Sequence, residues 1–155
     1  MPYVSTALAL HALAAVLWVG GMAFAWGILR PVAAETLEGP ARQTLWRGVF
    51  ARFFPLVWAS ILVLLATGYY LLFGVFGGFA GSGMHIHLMH VLGLVMTGVF
   101  AYLFFRPWQR FRRAVAQEDW SAGAKDLATI RSTVAFNLAL GLVTVAVGAG
   151  GRFWL

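Results

Sequence analysis

The chain has 155 residues, 61% of them hydrophobic and 10% charged, with no cysteine and a formal net charge of +6. Soluble domains average about 45–50% apolar and about 25% charged residues, so an ordinary soluble domain is excluded. So are disulfides, thiolate metal sites and cysteine nucleophiles, and the length allows one compact bundle and no second domain.

Ten of the eleven Lys and Arg residues lie in two stretches, Arg30–Arg52 and Arg106–Arg131. An Arg or Lys at a bilayer centre costs roughly 2.5–3.5 kcal/mol on insertion scales, so bases collect in loops that stay cytoplasmic. Both stretches therefore face the same side and the apolar segments cross the membrane. This pattern accounts for nearly every base, so nucleic acid is not an expected partner. The first residues, Met1-Pro2-Tyr3-Val4, carry no basic n-region, and an apolar run of about 25 residues follows, too long for a cleaved signal peptide.

The first span is predicted from about Val4 to Leu29, closed by Arg30-Pro31. The second runs from about Phe53 to Phe73, with its helix starting earlier at Gly39-Pro40 and Pro55 in its first membrane turn. A Gly-rich link (Gly74, Gly77, Gly78, Gly81, Gly83) leads to the third span, Met84–Phe105, which ends at Arg106-Pro107. The fourth starts as an amphipathic helix capped near Ser121, enters the bilayer near Ser132–Val134 and leaves near Gly150, so that 132–150 is its membrane part. Each run approaches the ~20 residues that cross ~30 Å of hydrocarbon. Trp26, Trp46, Trp108 and Trp120 fall near the inner interface and Trp154 near the outer one. The expected fold is an all-α integral membrane protein, 1–155 forming a single four-helix up-down bundle with both termini outside, in the inner membrane of a bacterium.

The four histidines are His11 in the first span and His85, His87 and His90 at the start of the third. Ionisable groups within spans are costly, which makes each a functional candidate. His11 lies seven residues below Val4 and His90 seven below Gly83, so both sit roughly 10 Å into the bilayer at 1.5 Å per residue. Two imidazoles at equal depth on parallel helices suit a six-coordinate haem b or a small transition-metal site. His87 shares a helix face with His90, whereas His85 points away. In Met84-His85-Ile86-His87-Leu88-Met89-His90, thioethers and imidazoles together suit Cu(I).

Adjacent Gly20 and Gly21 beside Trp18 and Met22 let another helix backbone or a flat ligand such as a porphyrin approach closely, which makes Gly21 a candidate cofactor contact and close helix packing the plain reading. Gly93, Gly98 and Gly141 read as packing glycines and Asn137 as an interhelical donor. Arg52 and Arg131 at the inner boundary suit lipid phosphate, an acidic cofactor edge or plain snorkelling. Arg152 is the only base near the outer face and so the only partner there for a haem propionate. The acids Glu35, Glu38, Glu118, Asp119 and Asp126 all lie in the inner loops, so no hydrolytic constellation can be assembled beside the histidines.

His11 with Trp18-Val-Gly-Gly-Met, Arg52-Phe-Phe-Pro55, Gly68-Tyr69, Phe105-Arg-Pro-Trp and Ile130-Arg131 with Asn137-Leu-Ala-Leu-Gly141 resemble the CopD-type membrane domain family over nearly the whole chain. That family in turn resembles HemJ-type protoporphyrinogen oxidases. The first resemblance implies copper uptake or resistance. The second implies haem b, with His11 as a ligand, but this chain has no lysine early in the third helix, where those oxidases carry a functional one. The first expectation is a cytochrome b-like electron carrier with haem between His11 and His90 (or His87), serving a quinone or periplasmic redox partner. The alternative is a copper-handling protein using His11, His87, His90, Met84 and Met89. The third is a non-catalytic accessory subunit, in a homo-oligomer or a larger membrane complex.

Overall fold

A computed structural model describes the backbone of residues 2–154 and the side chains of residues 3–153; the indole of Trp154 lies outside the described residues. All regular structure among them is helical: α1 (Tyr3–Thr36), α2 (Gly39–Gly74), α3 (Gly78–Gly81), α4 (Met84–Phe105), α5 (Pro107–Ala116) and α6 (Trp120–Trp154). Helices α1, α2, α4 and α6 are long and apolar enough to cross a membrane. The protein is a multi-pass membrane protein.

α4 has the predicted bounds, set by Gly83 before it and Arg106-Pro107 after it. α1 runs past its predicted stop at Arg30-Pro31. Two π-helical segments, Val16–Gly20 and Ala25–Leu29, interrupt its α-helical ladder, and the second lies immediately before Pro31. A wider turn there loosens the ladder where proline has no N–H to donate, so the helix continues to Thr36. Pro55 likewise sits inside a continuous α2.

The cap of α6 is Asp119, not Ser121: its carboxylate accepts the Ala122 N–H at 2.9 Å. Glu118 before it takes the left-handed conformation at φ 57°, which closes the short turn from α5. α5 is an amphipathic helix. Trp108, Phe111 and Val115 recur on its buried face, while Arg110, Arg112 and Arg113 look out. At the other end of the bundle the link before α3 turns on Gly77 and Gly78, at φ 74° and 78°.

α1 packs mainly on α2, and α4 on α6. The core is concentrated at the end that carries the basic loops. There Phe50 stacks on Phe54 at 5.0 Å between centroids, Phe54 meets Trp108 edge-on at 5.3 Å, and Trp58 meets Phe100 at 5.2 Å. Lipid offers apolar side chains no gain on association, so packing and ring geometry must hold the helices together, each aromatic pair contributing about 0.5–1.5 kcal/mol. Towards the histidine end large buried side chains thin out to Leu71, Leu72 and Val147. The bundle is closed at one end and open at the other.

Candidate functional site

The start of α4 presents two faces at the open end. On one, the His87 ring stacks on Phe79 at 5.9 Å, and His90 meets Phe79 edge-on at 5.2 Å and Tyr69 of α2 at 5.5 Å. Phe79, carried on the single turn α3, thus brings His87 and His90 to one aromatic surface. Met84, one turn before His87, is 62% exposed at its rim. The other face looks at α6. His85 packs on Gly151 and Met89 on Gly148, where an added Cβ would stand 2.6 Å from His85 Cβ and 2.9 Å from Met89 Cε. Two turns deeper Met96 packs on Gly141, and its sulfur lies 3.6 Å from the Thr144 hydroxyl oxygen, whose hydrogen is directed at the Leu140 carbonyl 2.8 Å away.

His11 belongs to the α1–α2 contact. Its Nδ1 lies 2.9 Å from Thr67 Oγ1, and its ring packs over Gly68. The single hydroxyl hydrogen of Thr67 is directed at the Val63 carbonyl, 2.6 Å away, so Nδ1–H of His11 is the donor. In the neutral ring Nε2 is then the unprotonated nitrogen, the form in which an imidazole binds a metal while its other nitrogen is held by an outer partner. Thr67 was not among the residues expected to matter; a threonine bonded to its own helix looks from sequence like any other.

His11 meets Thr67 and Gly68, whereas His90 meets Tyr69, the next residue of α2. Among the described residues no three His, Cys, Asp or Glu side chains come together. The space beside Gly21 is filled by the Phe53 ring, which a Cβ would strike, so this glycine serves the approach of α2. Gly93 and Gly98 face open space, and Gly141 admits Met96. Arg152 is exposed on the last turn of α6. Arg52 donates to the Gly48 carbonyl of its own helix at 3.1 Å.

Asn137 does act as an interhelical donor, to the Met96 carbonyl at 3.3 Å. Its Oδ1 and the indole Nε1 of Trp18 are buried without a hydrogen-bond partner among the described residues. Both side chains line one narrow apolar crevice with Met22, Phe53 and Val57.

A family model described as copper resistance protein D matches residues 47–150, about two thirds of the chain. The chain belongs to the CopD family. The match takes in α4 with Met84, His85, His87, Met89 and His90, and most of α2 and α6. His11 precedes it. No curated protein and no solved structure matches this CopD chain.

Proposed function

We propose that this CopD protein takes up or passes on copper, as Cu(I), at the open end of the bundle. His87 and His90 are the imidazole ligands at the entrance, and Met84 is the soft thioether at its rim. His11 is a further imidazole on α1, ready to bind through Nε2. Met89, also expected among the copper ligands, faces Gly148 and belongs to the face towards α6. The observation that carries the proposal is the gathering of His87 and His90 on the Phe79 ring, within the part of the chain that the family model matches. Imidazole with thioether is a donor set for copper, and thioether favours the cuprous ion.

Electrostatics favour a cation at this end. Arg152 is the one base near the open end among the described residues, the other ten Lys and Arg residues lying in the two stretches at the closed end. A cation approaching His87 meets little repulsion. By the positive-inside rule, the open end faces the outer compartment of a bacterial inner membrane.

Haem b between His11 and His90 draws less support, because the family match points to copper and Arg152 alone is available for two propionates. Copper K-edge absorption of the Cu(I)-loaded protein tests the reading. Imidazole and sulfur scatterers are expected, with the sulfur component reduced in Met84→Leu. Oxygen-only coordination contradicts it, and a sharp reduced α band in the visible spectrum of protein as purified would favour haem.

A further inference from the structure

At the closed end a second crevice opens between α1, α2 and α6. Its apolar walls are Trp26, Trp46, Phe50 and Val134, and two guanidinium groups, Arg30 and Arg131, border it. Arg30 folds back over the Trp26 ring at 5.7 Å from its centroid, and Arg131 is half-buried. The charges acting on Arg131 are those of Arg30 and Arg42, both positive. Among the described residues the one ion pair is elsewhere, between Arg110 and Asp126. Two like charges, Arg30 and Arg131, thus border one aromatic slot.

We propose that this crevice is a binding site for an anionic phospholipid, its phosphate held by Arg30 and Arg131 and one acyl chain laid along Trp26 and Val134. Charge complementarity selects the occupant. A planar guanidinium offers paired N–H donors that match phosphate oxygens, and two of them flanking one phosphate relieve their own repulsion. The slot continues from the charged mouth into an apolar wall, which suits a molecule with an anionic head and a hydrocarbon tail and gives a free anion nothing to cover. Basic pockets between spanning helices on the side of the basic loops are where anionic lipid headgroups bind. The second π-helical segment of α1, Ala25–Leu29, contributes Ala25 and Trp26 to the crevice and ends next to Arg30, so the irregular turn helps to set Arg30 against Trp26.

The test is native mass spectrometry of the detergent-purified protein with equal amounts of dioleoylphosphatidylglycerol and dioleoylphosphatidylcholine. The wild type should retain the anionic lipid at least about fivefold over the zwitterionic one. Arg30→Gln with Arg131→Gln should remove most of that preference, while Arg112→Gln, on the exposed face of α5, should leave it unchanged. If the double variant does not fold, Arg131→Gln alone should lower the preference about threefold. Equal retention of the two lipids, or a preference unchanged in the Arg131 variant, overturns the proposal. So does displacement of the lipid by millimolar inorganic phosphate, which would make the crevice a free-anion site.

Discussion

His11 and Thr67 join α1 to α2 through a 2.9 Å contact between Nδ1 and Oγ1, and the direction of the threonine hydroxyl fixes which nitrogen of the imidazole carries the proton. An ionisable side chain in a membrane span is thereby oriented, and its neutral form keeps the Nε2 lone pair bare. Such a contact contributes about 0.6 kcal/mol on average between membrane helices.

Thr67→Val should therefore lower stability by about 0.5–1.5 kcal/mol, and His11→Ala by a similar amount. The double variant should cost less than the sum, with a coupling of about 0.6 kcal/mol. Reversible unfolding in detergent measures all three, and imidazole ¹⁵N shifts should report a proton on Nδ1 of His11 in the wild type. Strict additivity, or a proton on Nε2, would contradict the contact.

Small-residue packing between α4 and α6 makes a second prediction. A Cβ at Gly141 would stand 2.9 Å from Val19 Cγ2 and 3.1 Å from Met96 Cε, whereas one at Gly98 meets nothing within 4 Å. Gly141→Ala should destabilise by about 1–3 kcal/mol. Gly98→Ala should be neutral or stabilising by up to about 1 kcal/mol, through helix propensity. The ranking of the two melting temperatures decides the matter.

The spans were legible because apolar runs bounded by Arg-Pro and Gly leave few alternatives, and α4 has the predicted bounds. Less was legible where structure depends on a partner. The π segments of α1 leave no mark in a sequence that reads as uniformly apolar, so Arg30-Pro31 read as a stop. Asp119 caps α6 because Glu118 turns into the left-handed region, which composition does not announce. Of the candidate site, sequence placed His11 in the first spanning helix and His85, His87 and His90 on the first turns of α4. It did not reveal that Phe79, from the Gly-rich link, gathers His87 and His90, nor that Thr67 holds His11 and Tyr69 packs on His90.

The aromatic core at the closed end should dominate stability. Phe111 is fully buried and lies 6.3 Å from Phe50 and 6.2 Å from Trp108, centroid to centroid. Phe111→Ala should cost about 3–5 kcal/mol. The exposed ion pair between Arg110 and Asp126, at 2.8 Å, should matter far less, with Asp126→Asn changing stability by under about 1 kcal/mol. Chemical denaturation of the two variants side by side checks the contrast, and comparable losses would show that the packing has been misjudged.

Orientation follows from charge. The basic loops should face the cytoplasm and both termini the outside, so tags on either end should be cleaved by protease in intact spheroplasts. Protection of both tags would invert the bundle and place the histidine end in the cytoplasm.

The most direct measurement is competition for Cu(I) between the purified protein and a coloured cuprous chelator such as bicinchoninate. The wild type should withdraw Cu(I) from the chelator, and His87→Ala and His90→Ala should each weaken binding at least about tenfold, or 1.4 kcal/mol. His85→Ala, on the face towards α6, should bind as the wild type does. A protein that leaves the chelator saturated, or that binds equally well without His87 and without His90, would contradict a copper site at the open end of α4.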